Sequence, residues 1–377
     1  MIGSMTAGCR NLGGVRVVCV CALSTLAVLP GCGERSTDAS GRILNASVLG
    51  ETGTHVGQFV YPRGMDLFLM DGRPMAVIVD KTARLQVLDL DSGSVVGAIK
   101  TPEWDQGMPT GLTVGPSLLD AQKQAVYVAD THEHRVLMYT LPLPFADEPG
   151  ATEPAFAFGS FGREPGEFVY PTDIALRLNA DGSVREIYVS EYGGNDRVSV
   201  FAVEHDDDGM GVRWERAIGV ASETVDGSDD PRSLSRPQSI AIRRLADGSE
   251  ELVLTDASHH RMGRFTLDGE PIAWIGSATD TDPRAMRFPY GLTLLDDSTA
   301  LVTEFGGCVV RHLDLDSGET IERYGAPGRA DGELATPWAA GVIDGKVVVL
   351  DSGNSRLQMF RASGITGEQH ASSGGRP

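Results

Sequence analysis

A spaced glycine pattern occurs three times along this 377-residue chain. Each copy holds three glycines, an apolar residue and a proline at the same spacing. The copies are residues 50–62 (GETGTHVGQFVYP), 159–171 (GSFGREPGEFVYP) and 325–337 (GAPGRADGELATP). Such recurrence predicts an array of repeats, in which each unit needs its neighbours to bury its apolar face. One large repeat domain is therefore favoured over two or three ordinary domains.

Six units align on the closing proline of this pattern. The prolines are Pro62, Pro109, Pro171, Pro237, Pro289 and Pro337. Each is followed by an apolar run that ends on an acid, then by a short loop and a further apolar run. Short apolar and β-branched runs between turn residues predict strands, and four strands in each repeat are typical of propeller blades. The predicted fold class is all-β, a six-bladed β-propeller of four-stranded blades.

The two ends of the repeat array predict how the ring closes. The last unit stops after its third strand, at Phe360, whereas a spare apolar strand, residues 42–49, precedes the first unit. We expect this strand to complete the sixth blade and to hide sheet edges that would otherwise invite aggregation. The predicted segments are a signal peptide (1–31), a flexible tether (32–41), the propeller (42–362) and a polar tail (363–377).

The N-terminus has the pattern of an export signal. Arg10 and Arg16 precede an apolar run, residues 17–29, which is too short to span a bilayer. The run ends in Leu29-Pro30-Gly31-Cys32, which resembles the lipobox of bacterial lipoproteins. That resemblance implies lipidation at Cys32 and a protein anchored to a bacterial membrane, in the periplasm or at the cell surface. The alternative is an ordinary cleaved signal with Cys32 incidental.

The repeats resemble the NHL-repeat family, most clearly over residues 125–139 (AVYVADTHEHRVLMY) and 159–174. The resemblance covers almost the whole chain after the signal and implies a six-bladed propeller. Because NHL propellers include lyases, protein-binding domains and RNA-binding domains, it does not decide the function. The peptide-amidating lyases of the family carry zinc on histidines that follow the proline. No unit of this chain has a histidine there, which counts against that activity.

The charge and the cysteines narrow the possible partners. Fifty-two acids against 32 basic residues give a net charge of −20, which repels phosphate backbones and anionic lipids. We therefore expect no nucleic-acid partner, and membrane contact through the lipid anchor only. Cys308 is the one cysteine after Cys32, so no disulfide is expected within the propeller, and Cys308 is interpreted as a packing residue.

An acid and an arginine recur at the end of the second strand and the start of the third. The pairs are Asp80–Arg84, Asp130–Arg135, Glu191–Arg197, Asp256–Arg261 and Asp351–Arg356. They form either a ring of acids able to hold a cation or a repeated turn device; their presence in nearly every unit favours the turn device. In the fifth unit Val309 takes the arginine position, so Glu304 is expected to lack a partner.

The loops before each first strand and after each second strand are expected on one side of the ring, here called the loop face. Loops on a rigid scaffold commonly carry function, so we expect this face to bind a protein, peptide or saccharide without catalysis. Aromatic residues would supply flat contacts and polar residues the specificity. The candidate ligand-binding residues are Arg63, Thr110, Asp173, Glu191, Tyr192, Gln238, Tyr290, Glu304, Phe305 and Trp338.

No catalytic residues, metal-ligand set or cofactor are predicted, and no phosphate-binding loop or nucleophile elbow occurs. His132, His259 and Glu304 remain candidates for a divalent cation under the alternative function, a metal-dependent lyase or lactonase of the six-bladed type. The segment Glu204-x-Asp206-x-Asp208-Gly209 with Glu215 resembles a calcium loop, but a hairpin turn is the preferred interpretation.

Overall fold

The computed structural model describes residues 35–105, 107–206, 209–224, 230–277 and 284–365. Cys32, the predicted signal and most of the predicted tail lie outside these residues. The described chain forms 26 strands and three short 3-10 turns, at Thr131–Glu133, Ala257–His259 and Ser352–Asn354. None of its helical segments has the length and apolar character needed to cross a bilayer.

The strands form six antiparallel four-stranded blades, which confirms the predicted fold class. Blade 1 comprises β2 (Pro62–Met70), β3 (Arg73–Asp80), β4 (Arg84–Asp89) and β5 (Val95–Lys100). Blade 2 comprises β6 (Leu112–Pro116), β7 (Gln124–Asp130), β8 (Arg135–Thr140) and β9 (Phe156–Phe158). Blade 3 comprises β10 (Tyr170–Leu178), β11 (Val184–Tyr192), β12 (Arg197–Asp206) and β13 (Gly209–Ile218).

The second half of the chain repeats this arrangement. Blade 4 comprises β16 (Pro237–Arg244), β17 (Glu250–Asp256), β18 (Arg261–Thr266) and β19 (Pro271–Gly276). Blade 5 comprises β20 (Pro289–Leu294), β21 (Thr299–Glu304), β22 (Val309–Asp314) and β23 (Thr320–Tyr324). Blade 6 comprises β24 (Ala339–Ile343), β25 (Lys346–Asp351), β26 (Arg356–Phe360) and β1 (Ser47–Leu49). A small parallel pair, β14 (Val220–Ala221) and β15 (Ser233–Leu234), connects blades 3 and 4.

The first strand of every blade lies at the centre of the ring. β2 contacts β6, β6 contacts β10, and the series continues through β16, β20 and β24 until β24 contacts β2. Between neighbouring blades the sheets bury apolar side chains, as where Val79 of blade 1 packs in one cluster with Leu112 of blade 2. Each blade therefore depends on its neighbours for its core, as expected of a repeat array.

The ring is closed by the N-terminal strand, as predicted. β1 pairs antiparallel with β26, placing Ser47 opposite Met359 and Leu49 opposite Leu357. Ile43, only 2% exposed, packs just before this strand in the core between blades 5 and 6. Contacts also extend beyond the predicted limits of 42 and 362, because the Ser363 N–H donates to the Ser36 hydroxyl at 2.9 Å.

The recurring glycine pattern has a steric cause, seen most clearly at Gly159. This residue has φ = +95°, and a Cβ atom there would lie 2.5 Å from the ring of Phe168. Phe168 is fully buried and fills the apolar position of the pattern. Gly50 against Phe59 and Gly325 against Leu334 repeat the same contact. The first glycine of each copy therefore lets the loop close over the apolar residue that anchors it.

We expect Gly159→Ala to destabilise the protein by about 1 kcal/mol more than Gly166→Ala. Both glycines lie in the same loop with nearly equal φ, +95° and +91°, but a Cβ at Gly166 would meet no atom within 4 Å. The difference between the two variants isolates the contact with Phe168, and urea unfolding of both measures it. Equal losses would show that the backbone conformation alone requires glycine.

Candidate ligand-binding site on the loop face

A central cavity of about 1630 Å³ runs between the first strands of the blades. Its loop-face end is set by the start of those strands, where Pro62 of β2 lies opposite Asp80 of β3. Arg63, Gln238, Tyr290 and Trp338, each the residue after a repeat proline, line the cavity there. The position following the proline therefore contributes side chains to the mouth of the cavity, as expected from the sequence.

Aromatic rings lie in two groups on the loop face, one at blade 3 and one at blades 5, 6 and 1. We call the six rings of Tyr61, Tyr170, Tyr192, Tyr290, Phe305 and Trp338 the aromatic arc. Tyr290 stacks on Phe305 with centroids 4.4 Å apart and meets Trp338 edge-on at 5.0 Å. At one end Trp338 contacts Tyr61 at 6.0 Å, and at the other Tyr170 contacts Tyr192 at 5.2 Å.

Two arginines lie against the rings of this arc. The Arg236 guanidinium is 5.0 Å from the Tyr192 ring centroid and 5.6 Å from that of Tyr290, so it joins the two halves of the arc. The Arg63 guanidinium lies 5.6 Å from the Trp338 ring. Cations over aromatic faces are held by the ring quadrupole, which fixes Arg63 at the mouth of the cavity and Arg236 against the rings of the arc.

Thr110 and Asp173, two further candidates, are occupied by contacts between blades. The Thr110 hydroxyl, on a residue 6% exposed, donates to the Thr172 carbonyl at 3.1 Å. The Asp173 carboxylate accepts from the Ser239 hydroxyl at 2.7 Å and from the Ile240 N–H at 3.0 Å. Both therefore join their own blade to the next one, and Asp173 also lies in the wall of the cavity.

The recurring acids accept loop N–H groups and pair with arginines of their own blades, which is the turn device favoured by the sequence. Glu191 is fully buried, accepts the Val169 N–H at 2.8 Å and pairs with Arg197 at 2.8 Å. Asp351 accepts the Ala335 N–H at 2.8 Å and pairs with Arg356 in the same way. Each acid holds the loop that follows the buried apolar residue of the glycine pattern. We therefore assign Glu191 to the fold rather than to ligand contact.

The expectation that Glu304 lacks a partner was wrong. Its carboxylate forms two bonds to the guanidinium of Arg311, at 2.5 and 2.8 Å, and accepts the Arg287 N–H at 2.8 Å. Arg311 lies two residues beyond Val309 on β22, and residues two apart on a strand face the same side. The arginine is therefore shifted along the strand, and Glu304, 3% exposed, belongs to the same turn device.

The candidate metal ligands do not come together. His259 is buried and its Nδ1 bonds to the Asp256 carboxylate at 2.6 Å. His132 lies at a different blade, with its ring 5.7 Å from that of Tyr170. No group of three or more His, Cys, Asp or Glu side chains in the described ranges could hold a metal ion.

The segment that resembles a calcium loop lies in a hairpin between β12 and β13. The Glu204 carboxylate bonds to Arg213 at 2.6 Å, and Glu215 reaches the same arginine at 3.3 Å. Asp208 lies outside the described residues. The strand pairing around this turn confirms the hairpin interpretation.

Sequence reasoning missed the residues that precede the repeat prolines. Tyr61, Tyr170 and Arg236 each occupy this position and form part of the aromatic surface. Tyr61 and Arg236 have positive φ values of 49° and 60°. A non-glycine residue is rarely found in this region, least of all before proline. The aromatic and cationic side chains at these positions were visible in the sequence, but the turn that directs them to the loop face was not.

We expect Asp173→Asn to change how stability depends on pH. Burial, with a smaller contribution from the negative charge of Asp66, raises the pKa of Asp173 to about 7. Between its ordinary pKa of 3.8 and about 7, the carboxyl ionises in the unfolded chain but stays protonated in the folded one, so wild-type stability falls as pH rises. Asparagine cannot ionise, so the free energy of unfolding of the variant, relative to that of wild type, should increase from pH 5 to pH 8. Urea unfolding measures both. A difference that is constant with pH would contradict this.

Comparison with known proteins supports the fold. No family model matches the chain, so NHL membership stays a prediction. No curated protein matches either. A Bacteroides thetaiotaomicron protein of unknown function superposes with a TM-score of 0.57 at 16% identity, over 84% of this chain and 75% of that one. A streptogramin B lyase superposes with a TM-score of 0.51 at 15% identity, over 86% of this chain and 99% of that one. Virginiamycin B lyase from Staphylococcus aureus, at 17% identity over 84% and 88%, gives 0.47, too low to support an argument.

Proposed function

We propose that the loop face binds a ligand through the aromatic arc, and that this binding, without catalysis, is the function of the protein. The observation that carries the proposal is the set of two ring groups, Tyr170 with Tyr192 and Phe305 through Tyr61, which the Arg236 guanidinium joins on the loop face. Flat rings on a rigid scaffold bind sugar rings and aromatic or proline side chains at low entropic cost. The ligand class is accordingly a peptide, a segment of a protein or a saccharide.

The size of the cavity favours binding at its mouth. Sites for small molecules usually enclose about 300–1,000 Å³, whereas this cavity has about 1630 Å³. Below the mouth its wall is formed partly by small residues such as Gly64, Gly111 and Gly291, which offer few side-chain contacts. The rings of Tyr290 and Trp338 and the polar groups of Arg63 and Gln238 line its loop-face end, where the aromatic arc supplies flat contacts.

We expect Trp338→Leu to weaken ligand binding by about 2 kcal/mol or more, or about 30-fold, because a tryptophan at the centre of an interface is commonly a hot spot. Ligands would first be selected on peptide and glycan arrays with the wild-type protein. Trp104→Leu is the matched control, since Trp104 is 44% exposed but lies outside the arc. Melting temperatures of both variants separate loss of binding from loss of folding. Unchanged affinity in Trp338→Leu and Tyr290→Leu would show that the aromatic arc is not the binding site.

We also propose that binding takes place at the cell envelope, with the protein held by a lipid on Cys32. The support is the charged and apolar N-terminal segment that ends in Leu29-Pro30-Gly31-Cys32. Radiolabelled fatty acid should enter the wild-type protein and not Cys32→Ser. Equal labelling of the two would reject the anchor.

A metal-dependent lyase is the second candidate, favoured by the name of one solved neighbour, a streptogramin B lyase. The absence of a metal-binding group among the described side chains speaks against it. Two measurements decide: the metal content by plasma mass spectrometry of protein purified without chelator or histidine tag, and incubation with a streptogramin B. One divalent ion per chain together with cleavage of that substrate would replace the binding proposal. If neither is observed, the binding proposal stands.

A further inference from the structure

Two arginines at the mouth of the cavity differ from those inside the blades. The arginines that pack within and between blades pair with acids, namely Arg84, Arg135, Arg177, Arg197, Arg216, Arg243, Arg261, Arg264, Arg311 and Arg356. Arg63 and Arg236 form a salt bridge with no residue of the described chain.

Each of these guanidinium groups also has an unused donor. The Nε atoms of Arg63 and Arg236 are buried, and neither has a hydrogen-bond acceptor among the described residues. A buried donor without an acceptor is costly, especially when it carries charge. Burial lowers the pKa of Arg63, and the positive charge of Arg236 lowers it as well.

The surroundings hold both groups in place without neutralising them. Arg63 lies over Trp338, Arg236 lies over Tyr290, and these two rings are in edge-on contact at 5.0 Å. The backbone N–H of Arg236 donates to the Asp196 carboxylate at 2.5 Å, which fixes the start of that side chain. Gln238, 6% exposed, adds an amide to the lining of the same cavity. A rigid pair of guanidinium groups beside flat rings is therefore presented to whatever enters the mouth.

We propose that Arg63 and Arg236 bind an oxyanion, a carboxylate or a phosphate, carried by the ring-bearing ligand of the loop face. This inference rests on the proposed function and specifies the charge of its ligand. Guanidinium forks match the oxygens of carboxylate and phosphate in two parallel hydrogen bonds. An anion would bring a counter-charge to two cations that have none in the described chain. The rings of Trp338 and Tyr290 would then contact the cyclic part of the same ligand.

The test uses three small probes of similar shape: benzoate, phenyl phosphate and neutral benzamide. Their dissociation constants are measured by NMR titration of the full-length protein. At least one anion should bind about tenfold or more tightly than benzamide, since hydrogen bonds to charged groups are worth about 1.5–3 kcal/mol. Arg63→Gln and Arg236→Gln should each abolish that preference, whereas Arg323→Gln, at an exposed arginine of β23, should keep it. Which anion binds more tightly distinguishes carboxylate from phosphate.

A second measurement separates ligand binding from a structural role. Removing an unpaired buried cation should leave the melting temperature of Arg63→Gln and Arg236→Gln equal to that of wild type or higher. Arg84→Gln, which breaks a buried pair with Asp80, should lower it. Similar losses in all three variants would overturn the inference. Equal affinity for the anions and benzamide, or no binding of either anion, would also overturn it. The array experiment with Trp338→Leu tests the proposed binding face separately.

Discussion

A protein shortened to begin at Gly50 should unfold far more easily than one that begins at Gly33, directly after the predicted lipidation site. Its sixth blade would have three strands instead of four. The deletion removes β1 and exposes the edge of β26, with which residues Ser47–Leu49 pair. It also removes Ile43, which is 2% exposed and packs between blades 5 and 6. Loss of a buried isoleucine alone costs about 2–5 kcal/mol. We expect a lower midpoint of urea unfolding and, at higher protein concentration, association through the free edge.

A synthetic peptide of residues 35–49 supplies the control. If the missing strand causes the loss, the peptide should add to the open edge and restore the unfolding midpoint, as strand addition does in other sheets. A peptide of the same composition in scrambled order should not. A shortened protein as stable as the longer one would show that the ring holds together without β1.

Arg311→Met should destabilise the protein by about 3–5 kcal/mol, because it leaves the Glu304 carboxylate buried without its counter-charge. Arg311 is 1% exposed and also donates to the Ala285 carbonyl at 2.6 Å and to the Thr320 hydroxyl at 2.9 Å. The variant loses these bonds as well. Urea unfolding at neutral pH measures the effect.

Arg323→Met is the matched control for this prediction. Arg323 lies opposite Arg311 on the neighbouring strand but is exposed, and changes at exposed positions usually stay within about 0.5 kcal/mol. The double variant Glu304→Gln/Arg311→Met should recover part of the loss, since it leaves no uncompensated charge. If Arg311→Met cost no more than Arg323→Met, the pair with Glu304 would contribute nothing to stability.

The fold could be predicted because its determinants are local and repeated. Gly159 must be glycine to let Phe168 pack, and the same requirement at Gly50 and Gly325 marks the same loop. The closing strand followed from a blade that was one strand short. In both cases a short stretch of sequence contains the whole physical reason, so the pattern can be read without coordinates.

The site was only partly predictable, for two physical reasons. The residues after each proline were expected at the loop face because their position follows from the strand. Arg311 was missed because a strand allows a partner two residues away on the same side. Arg236 was missed because its direction depends on a backbone turn with φ of 60°, and its approach to Arg63 depends on how blades 1 and 4 are placed around the ring.

The closure of blade 6 also has a consequence for biosynthesis. β1 is synthesised before every other strand of the ring, and β26, its pairing partner, after every other. The earlier blades can form in order as the chain emerges, but β1 has no strand to pair with until synthesis of the ring is almost finished. Such a long-range pairing makes the last step of folding slow relative to local hairpin formation. Because β1 has only three residues, it exposes few backbone groups that could pair with a wrong strand before β26 is synthesised.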